Sequence, residues 1–136
     1  MTDIFNFLLA KFNRKHRING IIILVEKTLK VSDYMYCMIE TAFDNLDEAK
    51  QVISKLLDEK LVASCQMVES NSKWNWKQEQ EESKEYLVFM KTKKSLQEKI
   101  LNVIKEIHSY DCFEFAVFEL NSYNQDYLNW IEEETI

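Results

Sequence analysis

The chain has 136 residues, of which 46% are hydrophobic and 29% charged, and its formal net charge is −6. This size and composition are typical of a single globular domain with its own core and not of a disordered chain. The acidic balance disfavours nucleic-acid and membrane-surface binding, which depend on clustered Lys and Arg, and apolar runs such as 21–25 are far below the ~20 residues of a membrane span.

Residues 1–33 differ from the rest of the chain and are predicted to be an N-terminal extension. Apolar residues recur at helical spacing over 4–12, a basic stretch follows at 11–17, and a short apolar run occupies 21–25. That run is too short, and lacks the small-residue cleavage site, for a secretory signal. The pattern leaves open a docked helix and strand, a mobile extension, or an organellar presequence, which Asp3 disfavours.

Residues 34–68 predict a strand, a helix and a second strand. The apolar, aromatic-rich run 34–39 is typical of a buried strand. Asn45 stands three residues before Glu48, the spacing of a helix N-cap, and an apolar stripe follows at helical spacing. The stripe consists of Ala49, Val52, Ile53, Leu56 and Leu57. Residues 61–68 return to a strand pattern.

The second half repeats this order. Residues 86–90 predict a short buried strand, and Ser95 with Glu98 has the spacing of a capping box. The apolar stripe that follows consists of Leu96, Ile100, Val103, Ile104 and Ile107. Residues 113–120 predict a strand with alternating apolar positions, and a last short helix is predicted from about Asn124.

Two β-α-β units in tandem predict an α+β fold of the ferredoxin-like, split βαβ type, with a C-terminal helix and a domain spanning 34–136. Right-handed crossovers place both long helices on one face of an antiparallel sheet. A chain of this size has no second layer of helices for the other face. We therefore expect self-association to cover that face.

The cysteines and the single glycine restrict the chemistry. Cys37, Cys65 and Cys112 are widely spaced and contain no Cys-x-x-Cys unit, so they are interpreted as buried, reduced thiols of a cytoplasmic protein. With one Gly and no Pro, the chain cannot form the glycine-rich loops that bind nucleotides.

Six segments in the same order and spacing resemble the CutA divalent-cation tolerance proteins over about residues 34–135. No single segment is specific, but their succession is. The segments are 40–44 (ETAFD), 56–65 (LLDEKLVASC), 74–77 (WNWK) with 81–82 (EE), 91–92 (KT), 108–111 (HSYD) and 126–130 (DYLNW). Ser109, Phe113 and Glu119 stand where family members usually carry proline, and Gln78 where they usually carry glycine. Turns at these positions are expected to be looser or of another type.

The resemblance implies a homotrimer whose sheets meet edge to edge. Trp74 and Trp76 lie in a charged hairpin, and aromatic residues are enriched at the centres of interfaces, so both are candidate interface residues. The alternative is that the two rings cover their own subunit's core, or that each ring does one of these jobs.

The resemblance also implies a weak site for Cu(II) or another divalent cation, with His108, Glu114, Glu40 and Cys112 as candidate ligands beside Asp111. Imidazole with carboxylate or thiolate suits copper or zinc. The alternative is structural: a His at a helix end caps free carbonyls, and Cys112 is a small buried residue.

The expected function is that of a non-catalytic, trimeric binding, scaffold or signalling protein linked to the response to metal ions. Lys91, Tyr110 and Trp130 are candidates for a pocket between subunits that takes a small anionic ligand. Two alternatives stay open: a ferredoxin-like RNA-binding module that uses Phe113 and Phe115, and a small enzyme with a site at the subunit cleft.

Overall fold

The computed structural model describes residues 36–136. The expectations for the N-terminal extension, and for a first strand that begins at Tyr34, lie outside these residues. The elements in chain order are β1 (Tyr36–Phe43), α1 (Leu46–Asp58), β2 (Ser64–Trp76), β3 (Glu79–Lys93), α2 (Gln97–Ile107), β4 (Ala116–Glu119) and α3 (Gln125–Glu134).

The four strands form one antiparallel sheet in the order β2-β3-β1-β4, which confirms the predicted ferredoxin-like α+β arrangement. β1 lies in the middle and pairs with both β3 and β4, whereas β2 and β4 are the edges. Among residues 36–136, no helix is both long and apolar enough to cross a membrane.

The main core lies between α1, α2 and the inner face of the sheet, which we define as the face toward these helices. Each helix supplies most of the apolar stripe that its spacing predicts, and alternate residues of β1 and β3 supply the other half. Leu57, the last member of the predicted stripe of α1, is instead 41% exposed. The fully buried members include Ile39, Phe43, Val52, Leu56, Val88, Met90, Ile100 and Ile104.

The helix starts confirm two predictions and correct a third. The side chain of Asn45 accepts a hydrogen bond from the backbone N–H of Glu48 at 3.0 Å, and Asn124 does the same for Tyr127 at 2.8 Å. Ser95 caps nothing, because a 3₁₀ turn over Lys94–Leu96 precedes α2 and the cap residue, Leu96, makes no side-chain hydrogen bond.

β2 and β3 are much longer than predicted and form a hairpin that projects beyond the sheet. Only residues 86–93 of β3 pair with β1, so residues 70–76 and 79–85 form a two-stranded arm. The turn at its tip has φ of 48° at Lys77 and 71° at Gln78, as a two-residue type I′ turn requires. Gln78 therefore has the left-handed backbone that glycine favours, although it has a Cβ.

β4 is shorter than the predicted strand over 113–120. Phe113 and Phe115 precede it, yet both pack against the main core together with Val117. The prediction that alternate residues from Phe113 to Val117 face the same side is thus correct, although regular pairing with β1 begins only at Ala116.

α3 covers one end of the outer face of the sheet. Leu128 and Ile131 are buried there together with Tyr36 in a second, smaller cluster. The Tyr36 hydroxyl donates to Glu132 at 2.7 Å, and the Lys93 Nζ lies 3.7 Å from the same carboxylate. Burial, and then this bond, raise the pKa of Tyr36.

Candidate functional site

The face of the sheet that points away from α1 and α2, called here the outer face, carries exposed apolar side chains. Register places residues in rows across the strands, because directly opposed residues share a face. Its members in the four-stranded part include Met38, Glu40, Ala42, Ser64, Gln66, Val68, Leu87, Phe89, Lys91, Ala116 and Phe118. Val68 is 52% exposed and Phe118 47% exposed. These exposed groups were not predicted, since single apolar residues in short strands give no signal of which face they occupy.

The two tryptophans of the arm lie on one face of it. Trp74 is opposite Glu81 and Trp76 is opposite Glu79, and residues two apart on a strand point the same way. Neither ring belongs to a core cluster of residues 36–136, and Trp76 is 43% exposed. The alternative that both rings cover the core of their own subunit is therefore wrong. The alternative that one of the two rings does so is wrong as well.

His108 is held on all sides. Its ring stacks between Phe43, with centroids 4.4 Å apart, and Phe113, at 4.7 Å. Nδ1 accepts a hydrogen bond from the backbone N–H of Tyr110 at 3.1 Å, so this nitrogen carries a lone pair. Nε2 then carries the proton and donates to the carbonyl of Ala42 at 2.7 Å.

This placement leaves His108 without a free ring nitrogen for a metal ion. It also corrects the alternative interpretation, because the ring bonds a carbonyl of β1 and not the carbonyls at the end of its own helix. The prediction that His108 binds copper stays a prediction, and it requires the ring to give up one of its two hydrogen bonds.

Two further candidate ligands, Glu40 and Glu114, lie near the carboxylate of Glu85, a residue that the sequence did not indicate as part of a site. Glu85 is only 8% exposed and accepts a hydrogen bond from the Tyr110 hydroxyl at 3.0 Å. Burial raises the pKa of Glu114, and the nearby charges of Glu40 and Glu85 raise it further. Burial and the bond to Glu85 likewise raise the pKa of Tyr110.

Asp111 and Cys112 do not join this group. Both are exposed in the loop after α2, so the interpretation of Cys112 as a small buried residue is wrong. Within the described part of the chain, no three His, Cys, Asp or Glu side chains are arranged to hold a metal ion. The residues as placed in one subunit do not fit a closed copper site.

The three residues predicted to line an anion pocket are separated within one subunit. Lys91 lies on the outer face beside Gln66, whose side-chain oxygen is 3.5 Å from its Nζ. Tyr110 contacts Glu85, which lies six positions along β3 from Lys91, roughly 20 Å away. Trp130 lies on α3, against Tyr127. Only residues from different subunits could bring these side chains together.

The residues considered for RNA binding are not available for stacking. Phe113 packs on His108, and Phe113 and Phe115 both contact the main core. An open groove of about 360 Å³ lies instead on the arm. Its lining residues are Asn71, Ser72, Lys73, Glu82, Ser83 and Lys84, and it includes neither His108 nor Tyr110.

Comparison with known proteins gives one consistent result. Residues 37–134 match the family model described as CutA1 divalent ion tolerance protein. The divalent-cation tolerance protein CutA of Pyrococcus horikoshii is 34% identical over 98 residues, which are 72% of this chain and 96% of that protein. The protein of the same name from Thermococcus kodakarensis is 30% identical over 94 residues, covering 69% and 90%.

Solved structures give the same result for the fold. The crystal structure of CutA1 from Pyrococcus horikoshii superposes with a TM-score of 0.70 at 32% identity, over 74% of this chain and 98% of that one. CutA1 from Oryza sativa superposes with a TM-score of 0.73 at 24% identity, over 77% and 97%. The rice protein supports the likeness of fold alone.

Proposed function

This chain belongs to the CutA1 divalent ion tolerance protein family, and we propose that it is a non-catalytic protein that works as a trimer of identical subunits in the response to divalent cations. The outer face carries this proposal. α3 covers only the end near Tyr36, and leaves Val68 and Phe118 about half exposed. The number of subunits is the one that the family resemblance implies.

The arm supports the same proposal. Within the part of the chain that the structure describes, residues 70–76 and 79–85 pair only with each other, and a two-stranded hairpin is marginally stable in water on its own. Trp74 and Trp76 lie on the arm outside both core clusters. Contact with another subunit would shield these rings and support the hairpin.

The molecular mass in solution tests the assembly. At low micromolar concentration we expect a particle of about three times the 16.3 kDa subunit mass. Val68→Glu, on the outer face, should shift it toward the monomer, because assembly would bury the new charge. Leu57→Glu is the matched control, since Leu57 is 41% exposed on α1 and away from the outer face. A wild-type chain that stays monomeric would refute the proposal.

A divalent cation is proposed to bind weakly beside Glu114, as a second element of the same function. The charges of Glu40 and Glu85 raise the pKa of Glu114, and a cation would relieve that repulsion. Calorimetric titration with Cu(II) tests the proposal. Glu114→Gln should weaken binding at least several-fold, whereas His108→Phe should leave it unchanged. If His108→Phe lost Cu(II) binding and Glu114→Gln did not, the imidazole and not Glu114 would be the ligand.

A further inference from the structure

The outer face of the sheet carries opposite charges at its two ends. Lys91 lies at the end nearer α3, because the next residue of β3 on the same face, Lys93, contacts Glu132 of that helix. Glu85 lies on the same face six positions from Lys91, roughly 20 Å away, where the arm begins. The residues between these two ends are mainly apolar and include Ala42, Val68, Leu87, Phe89 and Ala116.

The negative end consists of three neighbouring carboxylates, those of Glu40, Glu85 and Glu114, called here the acidic group. Glu85 is buried, and its carboxylate accepts a hydrogen bond from the neutral hydroxyl of Tyr110 at 3.0 Å. None of the three carboxylates belongs to an ion pair within residues 36–136. A carboxylate that is buried without a counter-charge is unfavourable, and more so when another subunit removes the remaining water.

The positive end lacks a counter-charge as well. The Nζ atom of Lys91 donates a hydrogen bond of 3.5 Å to the side-chain oxygen of Gln66, which is neutral. Among the described residues Lys91 forms no ion pair, whereas Lys93 lies 3.7 Å from the carboxylate of Glu132. An assembly that buries the outer face would therefore leave the Lys91 ammonium unpaired, unless a carboxylate of another copy approached it.

We propose that Lys91 of one subunit contacts the acidic group of the next subunit, with Glu85 as its main partner. This contact rests on the assembly proposed above and adds its orientation, since the positive end of one outer face meets the negative end of the next. Each subunit gives Lys91 to one neighbour and receives Lys91 from the other, and such head-to-tail contacts can close into a ring. One ammonium balances one of three carboxylates, so the acidic group keeps negative charge for the divalent cation proposed beside Glu114.

Charge reversal tests this contact, with sedimentation of the full-length chain as the measurement. Lys91→Glu should raise the concentration at which the assembly dissociates by about tenfold or more, because it places a fourth carboxylate against the acidic group. Lys50→Glu is the matched control, since it makes the same change of charge at an exposed position of α1 and should leave assembly unchanged. Adding Glu114→Lys to Lys91→Glu should restore assembly, because the contact then forms with its charges exchanged. Glu114 is exposed in the single subunit, so this exchange requires no repacking of the core.

Zero-length carbodiimide crosslinking gives a second measurement on the unaltered chain, with isotopically heavy and light copies refolded together. Lys91 and Glu85 are roughly 20 Å apart in one subunit, too far to be joined directly, so we expect their crosslinked peptides to combine heavy and light copies. A trimer in which Lys91→Glu assembles as well as Lys50→Glu, or in which Lys91 is joined only to carboxylates outside the acidic group, would overturn this contact and leave the proposed trimer standing. A wild-type chain that stays monomeric would overturn both.

Discussion

The Nδ1 atom of His108 accepts a hydrogen bond from the backbone N–H of Tyr110, while the Nε2 atom of the same ring donates to Ala42. The imidazole thereby joins the loop after α2 to the end of β1, 66 positions earlier in the sequence. Phe43 and Phe113 stack on its two faces. We infer that the residue is primarily a structural joint of the domain.

Substitution of His108 should separate its packing from its hydrogen bonds. His108→Ala removes the stacked ring, and we expect it to lower the free energy of unfolding by about 3 kcal/mol. His108→Phe keeps a ring but leaves the Ala42 carbonyl without its donor, and we expect it to lower the free energy of unfolding by about 1–2 kcal/mol. Urea unfolding at fixed protein concentration measures both. Equal stability of His108→Ala and the wild type would show that the joint is dispensable.

Two buried threonines allow the contribution of a side-chain hydrogen bond to the free energy of unfolding to be measured by comparison. Within residues 36–136 the Thr41 hydroxyl has no partner, whereas the Thr92 hydroxyl donates to the Leu61 carbonyl at 2.6 Å. Both residues are fully buried. Thr41→Val should therefore raise the free energy of unfolding by about 1 kcal/mol, and Thr92→Val should lower it by about 1–2 kcal/mol. Changes of the same sign in urea unfolding would contradict this assignment.

The turn of the arm should be improved by glycine. Gln78 has φ of 71°, a conformation that glycine adopts without a Cβ clash. Gln78→Gly should raise the thermal midpoint, because it raises the free energy of unfolding by about 1 kcal/mol. Gln80→Gly is the control, because Gln80 lies in β3 and does not have positive φ, so glycine there should lower the midpoint. A loss of stability in Gln78→Gly would mean that the glutamine side chain itself is required.

Alkaline pH should destabilise the domain through Cys37. Burial is the main cause that raises the pKa of this fully buried thiol to about 11, from its usual value near 9. The folded state keeps the proton longer, so the stabilisation is complete below pH 9 and is lost as the pH rises from 9 to 11. Urea unfolding at pH 8 and 10.5 measures the loss.

Cys37→Ala is the reference for this measurement, because all other titrating groups are retained. Between pH 8 and 10.5 the wild type should lose about 2 kcal/mol more than the variant does. Parallel pH profiles of the two proteins would show that the thiol does not titrate differently in the folded state.

The sequence predicts the helices and the central strands well because their signals are local. Asn45 and Asn124 act as caps at the predicted positions, since cap residues need only backbone groups within three residues. Ser95 has the same signature but stands in a 3₁₀ turn. The resemblance placed Trp74 and Trp76 in a hairpin, but the length of its two strands was not predicted, because the polar residues of the arm carry little strand preference and their pairing comes from the neighbouring strand.

The site is less predictable than the fold for a related reason. His108 was singled out as a candidate metal ligand, a prediction that stays a prediction, but its hydrogen-bond partners Ala42 and Tyr110 lie on different elements and come together only once the chain is folded. Glu85 gave no signal, because it is one of several acidic residues in a polar stretch. Only the register of β3 turns it toward Tyr110, where it becomes buried.

The two-residue turn at Lys77 and Gln78 sets the register of thirteen residue pairs. Since side chains alternate along a strand, a single inserted or deleted residue in the arm that slipped this pairing by one position would exchange the two faces of one strand. β3 is also held by its pairing with β1 over residues 86–93, so β2 would be the strand that slips, and Cys65 would leave the core side in favour of Gln66. The length of this hairpin can therefore change during evolution only by matched steps in both strands, unless a bulge absorbs the extra residue.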